Sequence, residues 1–479
     1  MNHILYEPTF FEKDDKILCI FGDKPFWIVG DKSLKPIVNF FLNDLSFDEL
    51  QTILINDFKY SDKETKETIE TIYLIFDSAS LFSIQQDENY NPIDIDNNPP
   101  NPVINVTRRC NLKCSHCYAD ANNGQNASQE LNTAELKRII GLVMSWADSK
   151  HYDRRVLLSG GEPFIREDIM ELIQYIADNN GEPFVNTNAL LIKEEYMSAL
   201  SKCKAELLVS LDGARESTHE LIRGKNTFDP TIKKIRRLLE HGVITKLSIT
   251  IHKDNLSELE EFIDLAVDLN VAQVAINPLN ILSRAKDSQL QRVNLIEFYN
   301  TLSKISKKSS RHMYYVERSD YANVGAILLM NLKFQYCGVG SASLVIDYDG
   351  SVYPCYNTMI SELKLGNIRY DNLDSLWKTS PLLKKLRKLN VNSFSADCQK
   401  CPVKYYCGGG CRGEAYFTNG SFISKCPYCS DMKTSIIDLM FQLSGQDNQM
   451  FQNRVHFFQE KQVFYGQRRL DSWAWSKNI

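Results

Sequence analysis

The sequence lacks three features that would place the protein in a broad class. No uncharged apolar stretch reaches the roughly 18 residues that a membrane-spanning helix needs. The first residues show no basic region followed by an apolar run, as a secretory signal would. The net charge of -5 over 479 residues provides no surplus of cations for binding phosphates. We therefore expect a cytoplasmic protein with neither a membrane nor a nucleic-acid partner.

Cysteine, in contrast, is abundant: the chain has thirteen, and they are unevenly distributed. Three lie within residues 110–117 and eight lie between residues 337 and 429. In a reducing compartment, clustered thiols are more often metal ligands than disulfides, so both groups are predicted to bind metal. Cys19, in the strand-like run KILCIF, and Cys203, after an amphipathic helix, stand alone, and we expect both to be core thiols.

The first 84 residues are predicted to form a small domain, separated from the rest by a polar linker at residues 85–102 (QQDENYNPIDIDNNPPNP). KILCIF and PFWIV indicate a β-hairpin. Three helices follow, the second opened by a capping box at Ser46–Glu49 and the third beginning near Asp62. This order suggests a winged-helix shape. Residues 1–82 contain fifteen Asp or Glu against eight Lys, which disfavours DNA binding because that requires neutralising phosphates.

Between residues 103 and 310, strand-like and helix-like runs alternate six times. The strand-like runs are PVINVT, RVLLSG, PFVNTN, ELLVSL, KLSITIH and AQVAINP. Asn132, with Glu135 three residues later, caps the first helix. Six βα units imply a parallel sheet, either an open barrel or a doubly wound sheet. Because barrel chemistry occurs at the C-terminal ends of the strands, the three cysteines that follow the first strand are expected at that end.

The loop after the first strand places Cys110, Cys114 and Cys117 within eight residues. Three thiolates can bind three irons of a cubane cluster, which leaves the fourth iron without a protein ligand and open to a substrate or cofactor. A zinc site is the alternative. Zinc typically takes four ligands, commonly from Cys-x2-Cys pairs, and no further Cys or His completes such a pattern here. His116 would point away from a centre that Cys114 and Cys117 share.

The stretch CNLKCSHCY resembles the CxxxCxΦC signature of the radical S-adenosylmethionine (SAM) enzymes, with His116 at the aromatic position Φ. The resemblance covers about residues 103–310 and implies an α/β fold with a partial (β/α)6 barrel of the TIM type. It also implies a catalytic [4Fe–4S] cluster whose free iron is chelated by SAM. In that family, reduction of the cluster cleaves SAM to a 5′-deoxyadenosyl radical, which abstracts a substrate hydrogen. No catalytic acid or base is identified.

Further motifs of this family lie in order at the ends of the predicted strands. Gly160-Gly161-Glu162-Pro163 resembles GGEP, Thr187-Asn188 resembles TNG with Ala189 in place of glycine, and Ser210-Leu211-Asp212-Gly213 resembles SxDG. Arg223 would clamp the SAM carboxylate by bidentate pairing. The SAM-binding residues that the resemblance implies, the last two near adenine, are Tyr118, Gly160, Gly161, Glu162, Pro163, Thr187, Asn188, Ser210, Asp212, Arg223, Thr250 and Asn277.

The second cysteine group resembles the seven-cysteine SPASM domain, which carries auxiliary iron–sulfur clusters beside a radical SAM barrel. We expect this domain at residues 311–431, followed by a C-terminal extension at residues 432–479 that carries no motif. The matching cysteines are Cys337, Cys355, Cys398, Cys401, Cys407, Cys411 and Cys426. A zinc ribbon formed by Cys398-x2-Cys401 and Cys426-x2-Cys429 is the alternative, but it would leave four thiols of this segment without a role.

Ligand usage in the family divides these cysteines into two sets. The distal set, far from the active site, consists of Cys398, Cys401, Cys407 and Cys426. The nearer set consists of Cys337, Cys355 and Cys411 and is one ligand short of four. Cys429 could supply that ligand, or a substrate thiolate could, and the sequence leaves both open. The two auxiliary clusters, expected to be [4Fe–4S], would relay electrons or bind substrate, with a purely structural role as the alternative.

The N-terminal domain resembles the PqqD-like recognition domain of enzymes that modify ribosomally made peptides. This resemblance implies that the leader of a precursor peptide adds a strand to the PFWIV edge, beside the helix at residues 62–80, so that main-chain hydrogen bonds supply affinity. We expect a maturase resembling sactisynthases and other thioether- or cyclophane-forming enzymes. It would install a thioether, the favoured product, or a carbon–carbon crosslink, with a flavodoxin- or ferredoxin-type electron donor.

Two other functions stay open at this point. A radical SAM–SPASM enzyme that acts on a small molecule, a tetrapyrrole or a protein side chain, as sulfatase maturases do, also fits the barrel motifs. It would leave a leader-binding domain without a role. A non-enzymatic iron–sulfur electron carrier would leave the GGEP and SxDG motifs without a purpose. A neighbouring gene for a short peptide would discriminate: several Cys residues favour thioethers, and repeated aromatic residues favour carbon–carbon crosslinks.

Overall fold

The computed structural model describes residues 3–83, 102–122, 127–148, 154–317, 325, 328–331, 333–335 and 337–445. Apart from its last position, the predicted linker lies outside these residues, and so does the chain beyond residue 445. Among the helices of the described ranges, none is both long enough and apolar enough to span a bilayer.

The N-terminal region folds into three antiparallel strands followed by three helices. The strands, paired in chain order, are β1 (Pro8–Lys13), β2 (Lys16–Phe21) and β3 (Phe26–Asp31). The helices are α1 (Leu34–Phe41), α2 (Phe47–Phe58) and α3 (Asp62–Ser78). The pairing of β2 with β3 confirms the predicted hairpin. The sequence pattern does not predict β1, because PTFFEK lacks the apolar alternation of a half-buried strand.

Capping boxes open two of these helices. Ser46 accepts a hydrogen bond from the backbone N–H of Glu49, and the Glu49 carboxylate accepts one from the Ser46 N–H at 2.8 Å. Ser61 and Glu64 repeat the arrangement at the start of α3. Each box pairs backbone donors that a helix start leaves unsatisfied. The predicted box at Ser46 is confirmed, and Cys19 is fully buried in the core beneath these helices.

Six parallel strands form the central sheet, and all six match the predicted runs. They are β4 (Val103–Thr107), β5 (Arg155–Gly160), β6 (Glu182–Thr187), β7 (Glu206–Ser210), β8 (Ile244–Ile251) and β9 (Gln273–Pro278). Each strand pairs with the next one in the chain. The strand order never reverses, as it would in a doubly wound sheet. The sheet is therefore the predicted partial barrel, open after β9.

Helices follow these strands and pack against the apolar faces of the sheet. They are α4 (Thr133–Asp148), α5 (Ile169–Asp178), α6 (Met197–Lys202), α7 (Glu216–Arg223), α8 (Phe228–Glu240), α9 (Leu259–Asp268), α10 (Leu295–Ser306) and α11 (Ser310–Val316). As predicted, Asn132 and Glu135 exchange hydrogen bonds at the start of α4. Helix α7 is not predicted by periodicity, because ESTHELIR is short and mostly polar.

Three short strands join the C-terminal region to the barrel through main-chain hydrogen bonds. They are β10 (Val345–Ile346), β11 (Ser351–Tyr353) and β12 (Gly366–Asn367). Strand β10 runs parallel to β4, and β11 and β12 continue the sheet in antiparallel pairing. The helices that follow are α12 (Leu373–Thr379), α13 (Pro381–Leu386), α14 (Ala396–Gln399), α15 (Lys404–Cys407), α16 (Arg412–Asn419) and α17 (Cys429–Leu443).

The N-terminal sheet docks on this C-terminal region. In the turn between β2 and β3, Asp23 pairs with the Lys404 ammonium at 2.5 Å. The neighbouring Gly22 lies so close to Pro402 that an added Cβ would stand 2.9 Å from the proline Cα. The indole N–H of Trp27 donates to a main-chain carbonyl outside the N-terminal region at 2.9 Å. Residues 3–83 are thus packed against the cysteine-rich part of the chain.

Candidate active site

The first cysteine loop lies at the C-terminal end of β4, where the barrel opens. Cys110, Cys114 and Cys117 are each half-buried. Burial raises the pKa of the Cys110 thiol to about 11, and negative charge on Cys114 and Cys117 acts in the same direction. The three sulfurs therefore lie near enough to influence one another, as ligands of one cluster must.

Hydrogen-bond donors lie beside two of these sulfurs. The backbone N–H of Leu112 lies 3.4 Å from the Cys110 sulfur, and the Asn188 amide nitrogen lies 3.9 Å from it. A guanidinium nitrogen of Arg223 lies 3.9 Å from the Cys114 sulfur. Donors and positive charge favour the thiolate form that binds metal.

Asp212 organises the charged groups behind the loop. Its carboxylate is fully buried and accepts hydrogen bonds from Arg223 Nε at 2.7 Å and from the backbone N–H of Thr250 at 2.9 Å. His116 Nε2 lies 3.2 Å from the same carboxylate. Burial alone would raise the pKa of Asp212, but the charges of Arg223 and His116 outweigh it and lower the pKa well below its usual range. His116 thus faces Asp212.

Glu162 of the GGEP motif is fully buried, and protein groups occupy both of its oxygens. One oxygen accepts from the Thr187 hydroxyl at 2.7 Å and from the Phe164 N–H at 3.1 Å. The other accepts from the Asn188 N–H at 2.7 Å. Burial raises the pKa of Glu162 to about 6 against the opposing effect of these bonds. The side chain therefore ties the loop after β5 to the loop after β6.

The glycines of the motif are required by a close approach of two backbones. A Cβ at Gly160, which has a φ of 124°, would stand 2.1 Å from the Thr107 carbonyl oxygen. A Cβ at Gly161 would stand equally close to the Arg109 carbonyl. The cysteine loop and the GGEP loop can pack together only because both side chains are absent. Ala189, where the resembling motif has glycine, has a φ of 66°, a conformation that favours glycine.

The remaining residues predicted to bind SAM lie at the same end of the barrel. The Tyr118 hydroxyl is 3.3 Å from a serine hydroxyl at the end of β5, and the Asn277 amide donates to a β8 serine hydroxyl at 3.0 Å. Ser210 ends β7 half-buried, and Pro163 is buried at the start of a short 3-10 turn. The fold brings all these residues to one rim, and their roles toward SAM stay predictions.

The second cysteine group separates into two clusters of thiols, and Cys429 lies in the distal one. A cavity is lined by Cys398, Cys401, Cys407, Cys426 and Cys429. Charge on Cys398 and Cys401 acts on Cys429, and charge on Cys429 acts on Cys407. Cys429 is therefore placed with the distal set and not with the nearer set, which does not support the alternative that it completes the nearer cluster.

The nearer set is held together at the junction with the barrel. Burial raises the pKa of Cys355 to about 11, and charge on Cys337 raises it further. The pKa of Cys411 is raised in the same way by burial and by Cys337. Tyr356, next to Cys355, makes an edge-to-face contact with Tyr118, next to Cys117, at 5.7 Å between ring centroids. An aromatic pair thus connects the nearer set to the first cysteine loop.

Sequence reasoning missed two polar residues that contact the nearer set. The Asn357 amide nitrogen lies 3.4 Å from the Cys411 sulfur. The Ser343 hydroxyl, which donates to the Pro354 carbonyl at 2.9 Å, lies beside the Cys355 thiol and opposes the rise in its pKa. The only sequence feature that could identify Asn357 is its position two residues after Cys355. No sequence feature identifies Ser343, because folding brings it to Cys355.

The thiols fit iron–sulfur clusters. Buried thiols with raised pKa values stay protonated without metal, and bound iron would compensate the thiolate charge. No three His, Cys, Asp or Glu side chains of the described ranges converge closely enough to hold one metal ion. A cubane binds each cysteine through a different iron, so its ligands need not converge. Cys110, Cys114 and Cys117 would hold the catalytic cluster, and the distal and nearer sets would hold the auxiliary ones.

Two family models match the chain at these two cysteine groups. Residues 104–266 match the Radical SAM superfamily. Residues 337–402 match SPASM, an iron-sulfur cluster-binding domain.

Curated relatives show the same similarity. The antilisterial bacteriocin subtilosin biosynthesis protein AlbA of Bacillus subtilis (strain 168) is 27% identical over 325 residues, which are 65% of this chain and 67% of AlbA. The AdoMet-dependent heme synthase of Methanosarcina barkeri is 27% identical over 343 residues, which are 68% of this chain and 94% of the synthase.

Among solved structures, Streptococcus suis SuiB bound to the precursor peptide SuiA superimposes with a TM-score of 0.56 at 16% identity. The match covers 90% of this chain and 99% of SuiB. At this identity the likeness shows a shared fold. The two family matches, together with the positions of the thiols, identify the chain as an enzyme with a radical SAM domain and a SPASM domain, which uses SAM, a [4Fe–4S] cluster and auxiliary iron–sulfur clusters.

Proposed function

We propose that this enzyme is a peptide maturase that installs an intramolecular crosslink, a thioether or a carbon–carbon bond, in a ribosomally made precursor peptide. The observation that carries the proposal is the N-terminal region of three strands and three helices, docked beside the auxiliary cysteines. A small-molecule enzyme has no use for such a region, whereas an extended peptide can add a strand to its sheet.

Strand β3 offers the edge for that addition. It pairs only with β2 in the part of the chain that the structure describes. Its side chains alternate: Phe26 and Ile28 pack against the N-terminal core, and Trp27 and Val29 pack against the main core. Both faces of the strand are thus covered by apolar contacts. Its outer main-chain N–H and C=O groups can pair with a leader peptide, and α3 belongs to the same small domain.

Comparison of the relatives supports a peptide substrate. The heme synthase match accounts for 94% of that enzyme but only 68% of this chain. The SuiB match covers 90% of this chain, and the unmatched tenth is smaller than residues 3–83. The likeness to SuiB, whose structure contains a precursor peptide, therefore extends into the N-terminal region. AlbA, a bacteriocin biosynthesis protein, points to the same substrate class.

Within the barrel, the chain's own residues hold the catalytic loop in place. SAM bound at the cluster supplies, on reduction, a carbon radical that takes a hydrogen atom from the substrate. Glu162 fixes the loop after β6 through Thr187 and Asn188. Asp212 fixes Arg223 beside the Cys114 sulfur. These buried contacts preorganise the site so that binding the cofactor needs little rearrangement.

A reconstitution experiment tests the proposal. The enzyme, with its clusters assembled anaerobically, is incubated with SAM, a flavodoxin-type reductant and the short peptide encoded beside its gene. Mass spectrometry is expected to show 5′-deoxyadenosine and a peptide lighter by two hydrogens per crosslink. The same peptide without its leader is the control and should react far more slowly. SAM cleavage that leaves the full peptide unaltered would contradict the proposal.

A tetrapyrrole or other small molecule is the second candidate, and the 27% identity to heme synthase is the observation that favours it. Under that function, deletion of the N-terminal region would leave turnover of the small molecule unchanged. The peptide proposal predicts the opposite, because leader binding and therefore peptide modification would be lost.

A further inference from the structure

Glu414 lies beside the nearer set and has an unusual environment. It follows Cys411, the N-cap of α16, by three residues and so stands in the first turn of that helix. The side chain is only 1% exposed. Negative charge on Glu414 acts on the Cys411 thiol together with the charges of Cys337 and Cys355. The carboxylate therefore lies beside the Cys411 thiol, whose other charged neighbours are Cys337 and Cys355.

The two oxygens of Glu414 differ in their partners. Oε1 accepts a hydrogen bond from the backbone N–H of Ile281 at 2.9 Å and pairs with the Arg292 guanidinium. Oε2 is buried and has no hydrogen-bond partner among the residues that the structure describes. Burying a carboxylate oxygen without a partner is destabilising, so Oε2 is the oxygen that a further ligand would satisfy.

The other protein groups nearby are less suited to complete the nearer set. Cys429 lines the distal cavity, with Cys398 and Cys401 as its neighbours. Asn357 points its amide nitrogen, a donor, at the Cys411 sulfur, and an amide carries no charge to offset that of iron. Glu414 offers a carboxylate that is fixed at one oxygen by the barrel loop and, among the described residues, has no hydrogen-bond partner at the other.

We propose that Glu414 Oε2 is the fourth protein ligand of the nearer auxiliary cluster, beside Cys337, Cys355 and Cys411. The inference rests on the assignment of the auxiliary clusters and not on the identity of the substrate. It makes the nearer cluster a three-thiolate, one-carboxylate site, anchored to the barrel through Ile281 and Arg292. Such a cluster has no iron free for a substrate thiolate unless the carboxylate is displaced.

Cyanide labelled with ¹³C is a direct probe, because it binds an iron that lacks a protein ligand. The test uses the full chain with Cys110, Cys114 and Cys117 replaced by Ala, so that only auxiliary clusters assemble. After reduction, pulsed EPR is expected to show no ¹³C coupling. The added change Glu414→Ala is expected to produce the coupling of one bound cyanide per chain, and Glu414→Cys is expected to abolish it again.

Matched variants distinguish a Glu414 side chain that binds the cluster from one that only pairs with Arg292. Arg292→Gln removes the ion pair but keeps the carboxylate, so the cluster should stay closed to cyanide. Asn357→Ala should also leave it closed. If Glu414→Ala fails to retain its clusters, Glu414→Gln, which preserves shape and the bond from Ile281, is expected to show the cyanide coupling.

Three outcomes would overturn the inference. Cyanide coupling with Glu414 intact would mean that the fourth iron is free for a substrate thiolate. Absence of coupling in both Glu414→Ala and Glu414→Gln would mean that Glu414 is only an ionic link to Arg292. Coupling on Asn357→Ala alone would assign the ligand to the amide. If the triple variant misfolds, the Glu414 variants are compared in the chain with all its cysteines. Saturating SAM then occupies the catalytic cluster and keeps cyanide from binding there.

Discussion

At the scale of single residues, the buried carboxylates of the barrel opening accept hydrogen bonds from groups of the protein. The resemblance to the family implies that Glu162 binds SAM, yet three protein donors already engage its carboxylate. Asp212, also implied to bind SAM, accepts hydrogen bonds from Arg223 and from the Thr250 N–H. Both residues shape the loops around the cofactor, so replacing either is expected to affect folding as well as binding.

Glu162→Gln should destabilise the barrel. A glutamine offers one acceptor oxygen where glutamate offers two, so the N–H of Asn188 or Phe164 would face an amide donor. A buried donor left unpaired costs about 1–3 kcal/mol, which corresponds to a fall of several degrees in the thermal unfolding midpoint. Glu195→Gln, at an exposed position, is the control and should change the midpoint little. An unchanged midpoint for Glu162→Gln would show that the three hydrogen bonds do not contribute to the stability of the fold.

The position of Cys429 gives a second prediction at this scale. Because its neighbours are Cys398 and Cys401, Cys429→Ala should alter the distal cluster and leave the EPR signal of the nearer cluster unchanged. Cys355→Ala, in the nearer set, should do the reverse. A change confined to the nearer cluster in Cys429→Ala would restore the alternative that this thiol completes the nearer set.

At the scale of elements, the sequence predicts the helices and strands that have a clear apolar period and misses short elements without one. The six barrel strands and the caps at Ser46 and Asn132 follow from apolar runs and from pairs three residues apart. Strand β1 and helix α7 are missed because their own patterns are weak. Motifs identify the cysteines and Glu162 as candidates, but the pairing of Asp212 with Arg223 arises only when separate elements pack together.

The contact between the β2–β3 turn and Pro402 can be tested by a substitution at Gly22. Gly22→Ala would place a Cβ 2.9 Å from the Pro402 Cα, a distance that forces the backbones apart. Overpacking of this kind costs about 1–3 kcal/mol, so amide hydrogen exchange is expected to quicken in the turn and around Pro402. Gly141→Ala, whose Cβ would stand 3.7 Å from the nearest atom, is the control. Unchanged exchange in both variants would mean that the two regions do not depend on this contact.

At the scale of the whole molecule, three cysteine sets are distributed over two regions joined by one sheet. The barrel strand β4 carries the first loop and pairs with β10 of the C-terminal region. The Tyr118–Tyr356 contact lies between the first loop and the nearer set. The chain thus connects its three sets through one sheet, while the thiols of the first set all come from one loop that contains no thiol of the other two.

This separation predicts that the catalytic cluster can be removed alone. In a chain with Cys110, Cys114 and Cys117 replaced by Ala, SAM cleavage should be abolished, because no other thiols lie at the barrel opening in the described residues. Iron content should fall by about a third if all three clusters are [4Fe–4S], and Mössbauer spectra should retain the auxiliary clusters. Cys203→Ala, which removes a lone buried thiol, should leave the iron content unchanged. Complete loss of iron in the triple variant would show that the sets assemble as one unit rather than as independent sites.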